Sequence, residues 1–193
     1  MVGSQPFGGE GLSGTGPKAG GPRTLARFTK AAAPFQSADW AHQADAARLQ
    51  TTLDGVAVPS AAIRTCNLPG PTGESNRLSV YPRGPVLCLG PTVDVAGKQA
   101  ALVRAAGGVA VVAEGTLAPE TLKVLKGLSG AIWWGGIAQA RAYGLALASR
   151  TGPIVPLITE TPDTGHATIE RHVCIDTTAS GGNAELLAET GRA

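Results

Sequence analysis

Aromatic residues make up only 4% of this 193-residue sequence, and charged residues only 16%. So thin an aromatic complement excludes the base-stacking platforms of single-strand nucleic-acid binders. Lys and Arg number 16 against 14 Asp and Glu, a formal net charge of +2. That balance is no nucleic-acid footprint, which needs a basic patch or a strongly basic domain. Cys66, Cys88 and Cys174 lie far apart, with no CxxC pair among them. Neither a zinc ribbon nor a dithiol redox site is indicated, and reduced thiols in a cytoplasmic protein are expected. The opening residues lack the apolar core of a signal peptide. The longest charge-free apolar stretch, Leu128 to Ala140, is too short to span a bilayer.

What is plentiful is backbone punctuation, with 27 Gly and 14 Pro. Residues 1–22 read MVGSQPFGGEGLSGTGPKAGGP, and eight of them are Gly and three Pro. Such a segment builds no isolated helix or strand; it is a flexible leader or a shaped loop braced by something else. Residues 23–33 suggest a short helix with Leu25, Phe28 and Ala32 on one side. A second helix is expected from Ser37, as N-cap, to about Leu49. Residues 59–85 read as loop-rich, with a dense turn cluster from Leu68 to Asn76.

From residue 84 the pattern becomes regular. Short apolar runs at Val86–Leu89, Val109–Ala113, Ala131–Trp134 and Ile154–Thr159 alternate with helical stretches. The first of these runs from Thr92 or Asp94 to Ala106, with Val95, Leu102 and Ala106 on one stripe. The second starts at Pro119 and turns Leu122, Leu125 and Leu128 inward. The third covers Ile137–Ser149. Continuous apolar strands alternating with helices predict an α/β, Rossmann-like parallel sheet covered on both faces. Residues 169–175 alternate partly, with Ile169, His172 or Val173, and Ile175 as candidates for one face. The turn at Gly181-Gly182-Asn183 follows.

No catalytic, cofactor-binding or metal-ligating set emerges from the residues themselves. Gly14-x-Gly16-x-x-Ala19 matches the dinucleotide fingerprint in letters, but no apolar strand precedes it and Pro17 lies inside it. The strand-to-helix turn Leu89–Thr92 has a single glycine, and Glu114 stands where a ribose ligand would. A Rossmann layer without nucleotide is the simpler reading. His42, His166 and His172 lack metal-ligand spacing. His172 and Cys174 would share a strand face without the third group that a catalytic dyad needs. Trp133-Trp134 reads as core packing, with one ring facing out or into a partner.

PFGGEGLSGTGPKAGGP resembles the C-terminal signature of the aldehyde dehydrogenase superfamily. More closely, it is similar to the glutamate-semialdehyde dehydrogenase domain of the proline utilization A family. LPGPTGESNRLSVYPRG resembles the start of the extra C-terminal domain in the longer members of that family, and DTTASGGNAELL their closing motif. The resemblance implies four units: residues 1–33 as the tail end of an aldehyde dehydrogenase domain, 34–67 as a helical linker, 68–165 as an aldehyde-dehydrogenase-like C-terminal domain, and 166–193 as the terminal strand and motif. It also implies a parent that uses FAD and NAD to convert proline to glutamate. The catalytic cysteine and glutamate would lie outside this chain, since Cys66, Cys88 and Cys174 match none of the family's catalytic positions.

On that reading the chain has no cofactor of its own. Its partner is the aldehyde dehydrogenase domain, within a parent that could be a homo-oligomer. Pro6, Phe7, Gly8, Gly9, Gly14 and Gly16 would pack into that domain from the leader. Asp176, Thr177, Gly181, Gly182 and Asn183 would pack on it from the tail, helping to seal the tunnel that carries the intermediate. Two other readings stand beside it: a separately made module docking in trans, and a stand-alone Rossmann enzyme with a nucleotide site near Gly90 and Glu114.

Overall fold

The computed structural model describes residues 5–29, 31–33 and 35–176. A single 3-10 turn, Leu25–Phe28, is followed by α1 (Ala46–Asp54), β1 (Arg64–Leu68), β2 (Glu74–Pro82) and β3 (Val86–Cys88). Then come α2 (Val93–Ala105), β4 (Ala110–Val112), α3 (Pro119–Val124), β5 (Gly130–Ile132), α4 (Ile137–Ala148), β6 (Leu157–Ile158), α5 (Thr164–Ala167) and β7 (Thr168–Asp176). The strands form a parallel sheet ordered β4-β3-β5-β6 and an antiparallel sheet ordered β1-β2-β7.

The parallel sheet is buried on both faces, as its apolar runs require. Leu87, Leu89, Val111, Ala131 and Trp133 face one side and pack with Leu122, Tyr143 and Leu147, and with Leu49 and Leu53 of α1. The alternate residues Val86, Cys88, Ala110, Ile132 and Ile158 face the other side and pack on α2. Thr92 caps α2 by accepting from the Val95 N–H, Asp94 sits in its first turn and Arg104 in its last, and all three suit the helix dipole. The sheet order reverses between β3 and β5, so a topological switch point lies at their carboxyl ends, by Gly90 and Trp134.

Several sequence expectations are corrected here. Residues 59–85 are not mainly loop: they hold β1 and all nine residues of β2. β2 is stabilised by pairing with β7, from Glu74 opposite Asp176 to Pro82 opposite Thr168. β1 also begins inside the span read as a helical linker. Among the described residues of 23–33 only the 3-10 turn forms, with Leu25 and Phe28 each 82% exposed. The helix expected from Ser37 starts at Ala46 instead. Asp45 is the true cap, accepting from the Ala47 and Arg48 N–H groups. On α2 the buried stripe is Val95, Ala96, Gln99, Ala100 and Val103, so Leu102 lies off it, while Ala106 packs half-buried against the same core as expected.

β4, β5 and β6 are each shorter than the apolar runs that suggested them. Neither Trp133 nor Trp134 faces out. Both are 3% exposed, their indoles donating to the carbonyls of Gly136 and Glu160. On β7 the buried positions are Thr168 and Glu170, and Ile169, Val173 and Ile175 occupy the opposite face.

Candidate functional site

The candidate functional residues lie in two places, the switch-point crevice and the leader. In an open parallel sheet the crevice at the switch point is where ligands bind. Here the chain fills it with its own residues. The Trp40 indole donates to the Leu89 carbonyl at 2.6 Å, and the Gln36 N–H donates to the Trp134 carbonyl at 3.0 Å. From below, the Gln99 carboxamide closes both polar groups of Gly90, accepting from its N–H at 3.1 Å and donating to its carbonyl at 3.0 Å. Gly90 has φ +91, and a Cβ there would stand 2.7 Å from the Thr92 nitrogen and 2.8 Å from Trp40 Nε1. The glycine is needed for both conformation and space.

The second residue of the proposed nucleotide site, Glu114, is turned away. It is exposed, has φ 48, and its carboxylate meets Arg48 at 3.4 Å while its carbonyl meets His42 Nε2 at 3.0 Å. Gln99 and Trp40 went unnoticed in the sequence. Gln99 had one available signal: it lies on the Val95–Val103 stripe at helical spacing, where a polar residue implies a buried bond.

The leader is shaped, and residues of this chain brace it. Phe7 and Ala19 exchange backbone hydrogen bonds at 2.7 Å, and Glu10 bridges Thr15. Glu170 is 3% exposed, accepts from the Lys18 N–H at 2.9 Å and faces Arg23 Nε at 3.8 Å. Arg83, 8% exposed, donates to the Thr15 carbonyl at 2.8 Å and meets Glu10 at 3.3 Å. Of the leader residues singled out, Pro6 is buried, Gly14 and Gly16 are half-buried, and Phe7, Gly8 and Gly9 are exposed. A Cβ on Gly16 would run into the Glu10 carboxylate. Asp176, itself exposed, ends β7 on the same sheet face as Glu170, opposite Glu74. Thr177, Gly181, Gly182 and Asn183 lie outside the described residues.

The leader and the residues that follow it expose large apolar side chains. Phe7 is 73% exposed, Leu12 76%, Leu25 82%, Phe28 82% and Phe35 67%. Large apolar side chains so concentrated in one segment mark a surface made to be covered.

Neither Cys88 nor Cys174 is primed as a nucleophile. Burial pushes the Cys88 thiol up to about 12. Desolvation raises that of Cys174, with Glu74 and Asp176 adding to it. An activated cysteine needs the opposite shift. His172 shares the sheet face of Cys174 but bonds Asn76 at 3.0 Å. Among the described residues no cluster of His, Cys, Asp and Glu could hold a metal. No described helix is long and apolar enough to cross a membrane.

No protein-family model matches the chain. Curated proteins do. It is 32% identical to bifunctional protein PutA of Salmonella typhimurium and 31% identical to that of Escherichia coli, over 97% of this chain and 18% of each relative. It is 33% identical to the PutA of Rhizobium meliloti over 97% of the chain and 19% of that protein. The first two alignments run over 238 positions, so within the matched region those relatives carry residues that this 193-residue chain lacks. The chain is therefore a PutA-related sequence, spanning less than a fifth of the length of these curated relatives.

Proposed function

We propose that the chain is a non-catalytic C-terminal portion of a bifunctional enzyme that converts proline to glutamate. Its role is to pack on an NAD-dependent glutamate-semialdehyde dehydrogenase domain and to help close the passage carrying the intermediate. Its parallel layer is an aldehyde-dehydrogenase-like Rossmann domain, and it acts in the cytoplasm. The observation that carries this reading is the exposure of Phe7, Leu12, Leu25, Phe28 and Phe35 along residues 7–35, where the leader is held to this chain by polar bonds to Glu170 and Arg83. A surface of that kind calls for a partner domain.

The residues at the switch point do not fit NAD or FAD. Trp40 stands where a dinucleotide would cross the sheet, and Gly90 has no second or third glycine beside it. The parent chemistry needs a thiolate nucleophile, a hydride acceptor and a water to hydrolyse the thioester. Cys88 and Cys174, their thiols raised, are poor candidates for the first.

The test combines the purified chain with a PutA relative truncated to end before the matching region. The chain alone produces no NADH from glutamate semialdehyde and NAD. Added to the truncated enzyme, it binds, protects its leader from protease and raises coupled turnover. NADH formation by the chain alone, or failure to associate with the truncated relative, overturns the reading.

A further inference from the structure

The antiparallel sheet sorts its charges by face. Side chains alternate along a strand, so neighbouring residues of β2 and β7 point to opposite sides. Glu74, Glu170 and Asp176 all fall on one side, the side on which Glu170 holds the leader. The other side carries Arg77, Ser79 and Tyr81 of β2, Arg171 and Val173 of β7, and Thr65 of β1. The three strands place both of these guanidinium groups on that face and none of their carboxylates.

The same six residues line a groove of about 310 Å3, at the small end of ligand-pocket size. Arg171 stands opposite Ser79 and Arg77 opposite Val173, so the arginines are diagonal neighbours across two strands. Diagonal neighbours lie about 7–8 Å apart, within reach of long side chains, and like charges at that range repel. Arg171 lies over the Tyr81 ring, 4.6 Å from its centroid. Stacking uses the flat of the guanidinium and leaves its N–H edge to meet an oxyanion. Arg77 is exposed, and no described residue gives it a hydrogen bond or an ion pair. Glu10 feels Arg171 only as the last of several influences, and its own ion pair is with Arg83. On the floor, the Thr65 and Ser79 hydroxyls are 3.0 Å apart. Whichever of them accepts keeps its own hydrogen to donate upward.

We propose that this groove binds the phosphate of a small phosphomonoester, its dianion shared by Arg77 and Arg171 and met from below by the Thr65–Ser79 pair. Two cations with no anion beside them match a divalent group. The tetrahedral phosphate offers oxygens to both walls and the floor at once, which a single planar carboxylate does not. Val173 leaves an apolar flank for the organic part. Two arginines on a chain of net charge +2 fall short of a nucleic-acid surface. The groove lies on the face opposite the one that holds the leader, so this proposal and docking on a dehydrogenase domain fail separately.

The test is a nitrogen-15 correlation titration of the full chain with phenyl phosphate, inorganic phosphate and benzoate at constant ionic strength. Phenyl phosphate should shift the Thr65, Ser79 and Val173 amides saturably and bind about tenfold or more tighter than benzoate. Arg77→Gln and Arg171→Gln, both at exposed positions, should each weaken it about tenfold. Arg64→Gln, at an exposed position on the opposite face of β1, should leave it unchanged. Binding should also weaken as pH falls through the second phosphate ionisation, near about 6, because no histidine or carboxylate of these strands shares the face. No saturable shift, equal binding of benzoate, tighter binding of inorganic phosphate than of phenyl phosphate, equal losses in Arg64→Gln and Arg77→Gln, or an affinity that holds across that pH range overturns the proposal.

Discussion

The indole of Trp40 is hydrogen-bonded to the Leu89 carbonyl at 2.6 Å, closing the sheet crevice with a residue from a segment that has no regular structure. Trp40 is half-buried and packs on the α2 side of the core. Trp40→Ala should therefore cost about 2–3 kcal/mol, less than a fully buried tryptophan would. Urea denaturation checks this: the midpoint should fall while the slope stays constant. NAD should give no heat of binding to the variant either, because the phosphate-cradling glycines are absent; binding by Trp40→Ala would mean that the indole plugs a ligand site.

Gln99 tests the floor of the same place. It is fully buried, and both ends of its amide are spent on Gly90. Gln99→Met keeps the approximate volume and removes both bonds, leaving the buried Gly90 N–H unmet and its carbonyl with only the Trp134 N–H at 3.2 Å. The expected loss is about 2 kcal/mol or more, well above that of a typical surface change on α2. Thermal unfolding of Gln99→Met beside an exposed α2 variant, Lys98→Met, makes the comparison.

Legibility in the sequence followed the range of the interactions. Val86–Leu89 and Val109–Ala113 announced themselves because a strand covered on both faces needs continuous apolar residues. β2 did not, since ESNRLSVYP mixes buried Asn76 with exposed Arg77 and ends on Pro82. Its status rests on β7, ninety or so residues away in the chain. Asn76 reads as a turn former, yet here it is 2% exposed and bonded to His172. Trp40 and Arg83 act through partners distant in sequence, and no local period encodes that. The burial of Glu170 carried no local signal for a related reason, since it depends on Lys18 and Arg23 far away in the sequence.

Acid should loosen α5. Asp163 holds its carboxyl below the usual range through its side-chain hydrogen bond with His166, with the N–H groups of His166 and Gly165 adding to it. The folded pKa is thus depressed relative to the unfolded chain, so the folded state binds this proton less readily. That contribution is present above the unfolded value near 3.8 and is lost as pH falls through the folded one. Stability measured from pH 5 downward should decline less steeply in Asp163→Asn than in the parent. Identical slopes would show that this carboxylate carries none of the acid sensitivity.

Thiol chemistry should sort the cysteines by environment. Cys88 is completely buried, with its thiol pushed up to about 12, whereas Cys174 is exposed. A disulfide reagent at neutral pH should label Cys174 in the native state and reach Cys88 only through unfolding. The rate at Cys88 should therefore match the global opening rate from amide exchange of α2. Labelling of Cys88 much faster than that opening would place a local breach in the sheet.

The leader should detach when its anchor is cut. Glu170 is 3% exposed; one of its oxygens accepts from the Lys18 N–H, and the other, which makes no hydrogen bond, is a counter-charge 3.8 Å from Arg23 Nε. Glu170→Ala leaves the Lys18 N–H without that acceptor and Arg23 without that counter-charge, a loss of up to about 3 kcal/mol for a largely buried charged contact. The damage should be local, because β7 keeps its backbone pairing to β2 through Val80 opposite Glu170. Trypsin should then cut after Lys18 and Arg23 much faster than in the parent, while the amides of β3 and β5 keep their protection. Glu170→Gln retains an acceptor for the Lys18 N–H, so it should fall between the two. Equal cleavage in all three proteins would mean that Arg83 and the Phe7–Ala19 pair hold the leader without Glu170.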